Sequence, residues 1–321
     1  MEKYHKFLES FGRFEKILPI AQEASSRIYY RIYYESGTKV LCVDDNFQNL
    51  PYAFLQVNEF LLQNDFSIPK ILGYDLGLRV ILQEDAGEKD LTSIDPEENY
   101  VSTLKIEILK LLKLQELKPI PIIQSREFHY EKLNFELNFT YTHYETFRKS
   151  NNLDIDFSPP QKEFLDQAII FLSKYETKVI CHRDFHARNI MMKDSTNYWI
   201  DYQDMMMGTP HYDVSSLLYD AYKPLSLTNR EMLYQFFKDN SSHKKNRFRE
   251  YYLTQCLQRS FKALGSYLYL LQEKKMLKYK PSIKYCLLNL MEISQLGLFP
   301  DSMYLFVSLL LKRLEEDGFF E

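Results

Sequence analysis

Glycine is scarce in this 321-residue chain, at 9 residues, and no G-x-G-x-x-G run occurs, so any loop that wraps phosphate must be built from other residues. Cysteine is scarcer. Cys42, Cys181, Cys256 and Cys286 lie scattered without C-x-x-C spacing, which argues against a disulfide framework or zinc ribbon and fits reduced thiols in a cytoplasmic protein. No segment reaches the roughly 18 consecutive apolar residues of a membrane span. The longest apolar run, around Tyr304 to Leu311, stops at Lys312-Arg313 and reads as a buried helix, and the opening MEKYHKFLESFGRFEK lacks the apolar stretch of a signal peptide. Neither sign of charge dominates: the net charge is −4 with signs interspersed, so there is no basic stripe for nucleic acid and no acidic tail. Aromatic residues, by contrast, are plentiful, with 25 Tyr and 23 Phe, and most of them must serve as core.

The first eighty or so residues read as strands with one helix. RIYYRIYY, the turn Glu35-Ser36-Gly37 and the run Lys39 to Val43 form a hairpin. Tyr52 to Gln63 has helical spacing, and Ile68-Pro-Lys-Ile-Leu and Arg79 to Leu82 read as two short strands. Beyond Asp85-Ala86-Gly87 the apolar positions Val101, Leu104, Ile108, Leu111 and Leu112 recur at helical intervals. Ser158 before Pro159-Pro160 signals a helix start, Thr228 with Glu231 a capping box, and Asp213 an N-cap. The expected fold is therefore α+β: a small sheet-bearing lobe over 1–86 and a mainly helical lobe over 87–321.

One segment interrupts the helical pattern. VICHRDFHARNIMMKDSTNYWIDYQD reads as strand, polar loop, strand, turn at Asp194-Ser195, strand, and then a carboxylate. A lone Asp or Asn in such a loop usually caps a turn. Here Asp184, Asn189 five residues on, and Asp201 at the end of an apolar strand form a three-part pattern suited to phosphoryl transfer from ATP. Asp184 is the expected base toward an acceptor hydroxyl, and Asn189 and Asp201 are the expected oxygen ligands of Mg²⁺. His182-x-Asp184-x-His186 also has the composition of a transition-metal cluster, but no matching His/Cys group occurs elsewhere.

HRDFHARN, followed by IDYQD and GTPHYD, resembles the aminoglycoside phosphotransferase superfamily. The resemblance implies a two-lobed protein-kinase-like fold, a nucleotide-binding first lobe and a catalytic, substrate-binding second lobe. Tyr202-Gln203 stands after Asp201 in place of the Phe-Gly of protein kinases, which disfavours a protein substrate. Within the superfamily, Ala24-Ser25-x-Arg27-x-Tyr29-Tyr30-Arg31, Ile68-Pro69-Lys70-Ile71 with Asp85-x-Gly87, the catalytic segment through Asp220-Ala221-Tyr222, and Gln258-Arg259-x-x-Lys262-x-x-Gly265 are similar to bacterial cell-wall amino-sugar kinases. That similarity implies phosphorylation of the anomeric hydroxyl of N-acetylmuramate and N-acetylglucosamine.

By the same resemblance Ser25 and Ser26 are expected at the nucleotide phosphates, and Gln83 and Asp85 are expected to offer groups to adenine. The third-strand lysine of kinase-like enzymes is missing, since Val43 stands near its position, and Arg27 or Arg31 is expected to supply that charge. For the acceptor the candidates are Asp204, His186, Arg188 and Arg259, with loop bracing as the ordinary role of the first three. Arg259 and Lys262 share one helix face, where surface ion pairing is the ordinary role. From Met205 onward 16 Lys and Arg face 12 Asp and Glu, a net of +4, which disfavours a polycationic antibiotic as acceptor. The expected partner is thus a small molecule, an amino sugar, with no nucleic acid, membrane or obligate protein partner. Two alternatives stand beside it. One is a kinase of another small alcohol such as choline, ethanolamine or homoserine; the other is a nucleotide-binding pseudokinase, suggested by the missing lysine.

Overall fold

The computed structural model describes residues 2–20, 27–244 and 246–321. Among them ten strands run in chain order: β1 Phe14–Pro19, β2 Ile28–Tyr34, β3 Gly37–Val43, β4 Ile71–Asp75, β5 Val80–Glu84, β6 Lys89–Asp90, β7 Val179–Cys181, β8 Ile190–Lys193, β9 Thr196–Trp199 and β10 Met206–Gly208. The chain divides into two compact units, Met1–Leu91 with Asn189–Asp204, and Thr92–Arg188 with Met205–Glu321. The first unit thus runs a few residues past the sequence-based boundary at 86 and takes back the segment that carries Asn189 and Asp201.

In the first unit an antiparallel sheet has the order β1-β2-β3-β5-β4. The β2–β3 hairpin pairs Tyr34 with Gly37 across a two-residue turn, and Gly37 sits at φ +114°, a conformation open to glycine. Alternation along the sheet turns Ile32, Leu41, Val80 and Leu82 to one side, where Tyr4, Leu8 and Tyr34 close the core. The helix Ala53–Gln63 buries Phe54, Val57, Phe60 and Leu61, the spacing read from sequence. Strand β1 had no clear sequence signal because its partly exposed residues do not alternate cleanly. The expected strand at Ile68 starts later, at Ile71, since Pro69 has no N–H to give a ladder.

A second, three-stranded sheet, β6-β8-β9, also belongs to the first unit. Trp199, the sole tryptophan, anchors its hairpin: the ring lies 5.2 Å from Phe66 and the Trp199 N–H donates to the Ser67 carbonyl at 2.9 Å. Asn58 donates to the Tyr202 hydroxyl at 2.5 Å and the Pro69 carbonyl at 2.8 Å, tying the following segment to the same unit.

The second unit is helical apart from the short antiparallel pair β7 and β10. Its principal helices are Glu97–Gln115, Tyr130–Ser150, Pro159–Ser173, Leu227–Asn240, Phe248–Gln272, Lys280–Ser294 and Asp301–Glu316. Ser158 and Gln161 form the capping box expected at Pro159–Ser173. The cap expected at Thr228 is instead Ser226, whose hydroxyl accepts from Asn229 N–H. The run Tyr304 to Leu311 is part of Asp301–Glu316, which buries one face through Phe306, Val307, Leu310 and Leu311. Among the described residues no helix is long and apolar enough to cross a membrane. All four cysteines are buried thiols.

Phe248–Gln272 is central to this unit and is buried on nearly every side, polar residues included. Gly265 lets it approach Tyr130–Ser150: a Cβ there would stand 2.4 Å from Thr140 Oγ1 and 2.7 Å from Thr140 Cα. Val at this position gains only a few tenths of a kcal/mol of helix propensity over Gly. Overpacking against rigid backbone typically costs about 1–3 kcal/mol. Gly265→Val is therefore expected to lower the unfolding free energy by about 2 kcal/mol, read as a lower urea midpoint; an unchanged midpoint would show that the two helices separate without cost.

Candidate functional site

In the first unit the β8–β9 hairpin pairs Ile190 with Trp199 across the turn Asp194-Ser195. Both turn residues have positive φ, as a tight two-residue hairpin turn requires. The ladder continues by one bond, Ile200 N–H to the Asn189 carbonyl at 3.0 Å, so Asn189 and Asp201 flank the open end of one hairpin. Asp201 adopts φ +62°, an uncommon state for a non-glycine residue, and its carboxylate is 40% exposed. Gln203 donates to Asp201 Oδ1 at 2.7 Å. An amide oxygen and a carboxylate are hard donors of the kind that suits Mg²⁺, not a soft transition metal. No cluster of three His, Cys, Asp or Glu that could hold a metal occurs among the described residues, and the His182/His186 alternative gains nothing from the fold.

Arg27 lies beside this pair. Its Nη1 is 4.0 Å from Asp201 Oδ1, while its Nε donates to Asp44 Oδ2 at 2.6 Å. Asp44, which directly follows Val43 at the end of β3, also accepts from the Tyr52 hydroxyl at 2.5 Å and Asn46 N–H at 2.9 Å. Burial alone would raise the Asp44 carboxyl, but these hydrogen bonds and the Arg27 charge hold it below its ordinary value. The third strand thus ends in a carboxylate that orients an arginine, where related enzymes are expected to carry a lysine. Arg31 is committed elsewhere: it donates to Asp85 at 2.6 and 3.1 Å, to Glu88 at 2.6 Å and to the Gly87 carbonyl at 2.8 Å. The Asp85 side chain is correspondingly taken by Arg31 and Gly87 N–H, and Gln83 is buried. Ser25 and Ser26 lie outside the described residues. Asp204, partly exposed, ends the segment that belongs to this unit.

In the second unit β7 delivers the loop that holds Asp184. Its backbone is fastened at both ends by buried carboxylates. Asp213 accepts from His182 N–H at 2.6 Å and Arg183 N–H at 2.9 Å. Asp220 accepts from Ala187 N–H at 2.8 Å and from Tyr222 N–H at 2.7 Å. The expectation that Asp213 caps its own helix is corrected here: Tyr212–Leu218 has His211 at its N-cap, and the Asp213 carboxylate serves the loop. Burial pushes the Asp213 carboxyl up to about 7 against the pull of its two N–H donors. Arg183 takes φ +83°, a strained state that these fastenings sustain. The side chain of Asp184, between them, is 31% exposed.

Around Asp184 the charges are mostly positive. Lys262 Nζ lies 3.9 Å from Asp184 Oδ1. Arg259 is buried, donating to the Tyr212 hydroxyl at 3.1 Å and Ser216 Oγ at 2.7 Å. Burial opposes the Asp184 charge, but Lys262, Arg259 and Arg183 together hold its carboxyl well below the usual range. Burial pushes the His186 imidazole down to about 3, so it is neutral near pH 7. His186 meets the edge of Tyr222, and the Arg188 guanidinium sits 3.9 Å over the same ring. The sequence candidates His186, Arg188 and Arg259 therefore gather at the Asp184 loop within this unit. Sequence reasoning missed the roles of Asp213 and Asp220; the available signal was two carboxylates in the stretch Tyr212 to Ala221, which holds no other charged residue.

The fold and these residues can be set against known proteins. The N-acetylmuramate/N-acetylglucosamine kinase of Neisseria meningitidis serogroup B is 26% identical over 212 residues, 63% of this chain and 60% of the relative. The chain thus spans about 60% of the length of the curated relatives it matches. The crystal structure of aminoglycoside phosphotransferase APH(2'')-Ib with ADP bound is similar at TM-score 0.61 and 13% identity, over 91% of this chain and 98% of that one. Choline kinase LicA from Streptococcus pneumoniae is similar at TM-score 0.61 and 11% identity, over 89% and 98%. At such identities the structural likeness establishes a kinase-like fold and not an acceptor. Residues 16–245 match the family described as APH, phosphotransferase enzyme family, and with well over half of its length so matched, this chain belongs to that family.

Proposed function

We propose that this protein is an ATP- and Mg²⁺-dependent kinase that phosphorylates the anomeric hydroxyl of N-acetylmuramate or N-acetylglucosamine, in the cytoplasm and on a cell-wall recycling route. The fastened loop around Asp184 carries the kinase assignment: a carboxylate kept ionised, partly exposed and held on a braced backbone is what an acceptor hydroxyl needs as its base. Membership of the phosphotransferase family supports nucleotide use, and the names of the curated relatives support an amino sugar as acceptor.

In the proposed reaction the acceptor oxygen forms a bond to the γ-phosphorus as the bond from that phosphorus to the β,γ-bridging oxygen breaks, so ADP leaves and the hydroxyl proton passes to Asp184. Lys262, Arg259 and Arg183 favour the ionised carboxylate before the transfer. Asn189 and Asp201 are the residues to hold Mg²⁺, which when bound would neutralise charge on the triphosphate. Arg27, oriented by Asp44 and Tyr52, is the cation suited to replace the missing third-strand lysine.

Four experiments test this. Phosphorylation assays with phosphorus NMR against N-acetylmuramate, N-acetylglucosamine, choline, homoserine and kanamycin are expected to give phosphate on the anomeric oxygen of an amino sugar. Transfer only to another alcohol removes the sugar assignment, and nucleotide binding without transfer to any acceptor removes the kinase assignment. Asp184→Asn is expected to lower kcat by about 10²–10⁴-fold with the KM for ATP nearly unchanged, because the base acts in the transition state. Asp201→Ala is expected to abolish productive use of Mg·ATP; equal and mild losses from both changes would assign these residues to structure alone. Asp213→Ala leaves two buried N–H groups without their acceptor, at about 1–3 kcal/mol each. Its urea midpoint is expected to fall and its activity with it, whereas an unchanged midpoint would mean that the loop needs no fastening there.

A further inference from the structure

We infer that Lys262 is the contact for a carboxylate on the acceptor, so that the protein favours the anionic sugar N-acetylmuramate over the neutral N-acetylglucosamine. The inference rests on the amino-sugar kinase assignment above and adds the acceptor charge and the residue that reads it.

The solvent-reachable charged side chains of the Asp184 loop and its flank in the second unit are Arg183, Arg188 and Lys262 against Asp184. The neighbouring carboxylates do not offset that excess at the surface. Asp213 and Asp220 are buried and spend their oxygens on backbone N–H groups, and Glu136 is buried and accepts from Gln258 at 2.8 Å. Beneath them Arg259 adds a buried guanidinium held by two hydroxyls, with no carboxylate within ion-pair distance among the described residues. A buried guanidinium whose hydrogen-bond partners are neutral hydroxyls adds positive potential that favours an anion bound nearby.

Lys262 is the group able to receive that anion. It lies one turn beyond Arg259 on the same helix, its side chain is 20% exposed, and it donates no hydrogen bond from its ammonium among the described residues. The 3.9 Å separation from Asp184 is an attraction through space and too long for a hydrogen bond, so three donors remain for a ligand. A hydroxyl in position to give its proton to Asp184 must sit within about 2.6–3.2 Å of that carboxylate. A carboxylate carried a few bonds away on the same small acceptor then falls within reach of an ammonium beside the base. N-acetylmuramate differs from N-acetylglucosamine by such a group, a lactyl ether on the sugar ring. A cationic acceptor, by the same geometry, meets repulsion.

The test compares kcat/KM for the two sugars in the wild-type protein, Lys262→Met and Lys262→Arg. Wild type is expected to prefer N-acetylmuramate. Lys262→Met should lose about 10- to 100-fold more on that sugar than on N-acetylglucosamine, the effect of one charge-assisted hydrogen bond, since any loss through the Asp184 charge falls on both sugars alike. Lys262→Arg should recover most of the preference. The methyl ester of N-acetylmuramate, tried on wild type, removes the charge from the other side and should show a similar loss without any change to the protein. The urea midpoint of Lys262→Met serves as the control for folding. An equal loss on both sugars would reassign Lys262 to the base or the phosphates and overturn the inference, as would a preference indifferent to the substitution. Both outcomes leave the amino-sugar kinase assignment standing, whereas a wild type that phosphorylates neither sugar removes both.

Discussion

Two buried carboxylates carry the Asp184 loop. A polar loop inside a helical unit has N–H groups with no ladder to join, and leaving them unpaired in a dry interior costs more than a hydrogen bond returns. Asp213 and Asp220 take the N–H groups of His182, Arg183 and Ala187, and in doing so hold Arg183 in a left-handed state that a free loop would abandon. The side chain of Asp184, between them, is left partly exposed. The cost appears in Asp213 itself, whose burial works against its own ionisation.

The helix Phe248–Gln272 supplies the second half of the environment. It is buried on nearly every side, yet it carries Gln255, Gln258 and Arg259 into the interior, each answered by a partner: Thr209, Glu136, and the pair Tyr212 and Ser216. Such a network is tolerable in a core because its members satisfy one another, and it fixes the rotation of the helix about its axis. That rotation sets the direction of Lys262 one turn on. Packing therefore determines the electrostatics of the Asp184 loop, and Gly265, by permitting close approach to Thr140, belongs to the same arrangement.

In the first unit the same principle works with different residues. Arg27 is useful as a cation only if its direction is fixed, and Asp44 with Tyr52 fixes it. Arg31, paired with Val40 within the β2–β3 ladder, is neutralised by Asp85 and Glu88 and spends its donors on structure. Of two arginines four residues apart, the end of β3 selects one to stand by Asp201.

Much of this was legible in the sequence where the information is local. The β2–β3 hairpin follows from alternation and a turn at Glu35-Ser36, the helix Ala53–Gln63 from its apolar spacing, and the candidates Asp184, Asn189 and Asp201 from polar residues crowded into one short apolar context. Boundaries that depend on a neighbour shifted: the cap moved from Thr228 to Ser226, and Asp213 turned from an N-cap into a loop acceptor. Periodicity, turn chemistry and the kind of side chain are properties of a few consecutive residues, so the sequence by itself determined the order of elements, the α+β class and the candidate segment from Asp184 to Asp201. Only the tertiary structure decided which carboxylate receives which N–H, which arginine is oriented and which is neutralised, and which lysine lies beside Asp184. Those pairings join residues from 17 positions apart, Arg27 with Asp44, to 78 apart, Lys262 with Asp184, and no local pattern encodes a partner at that distance.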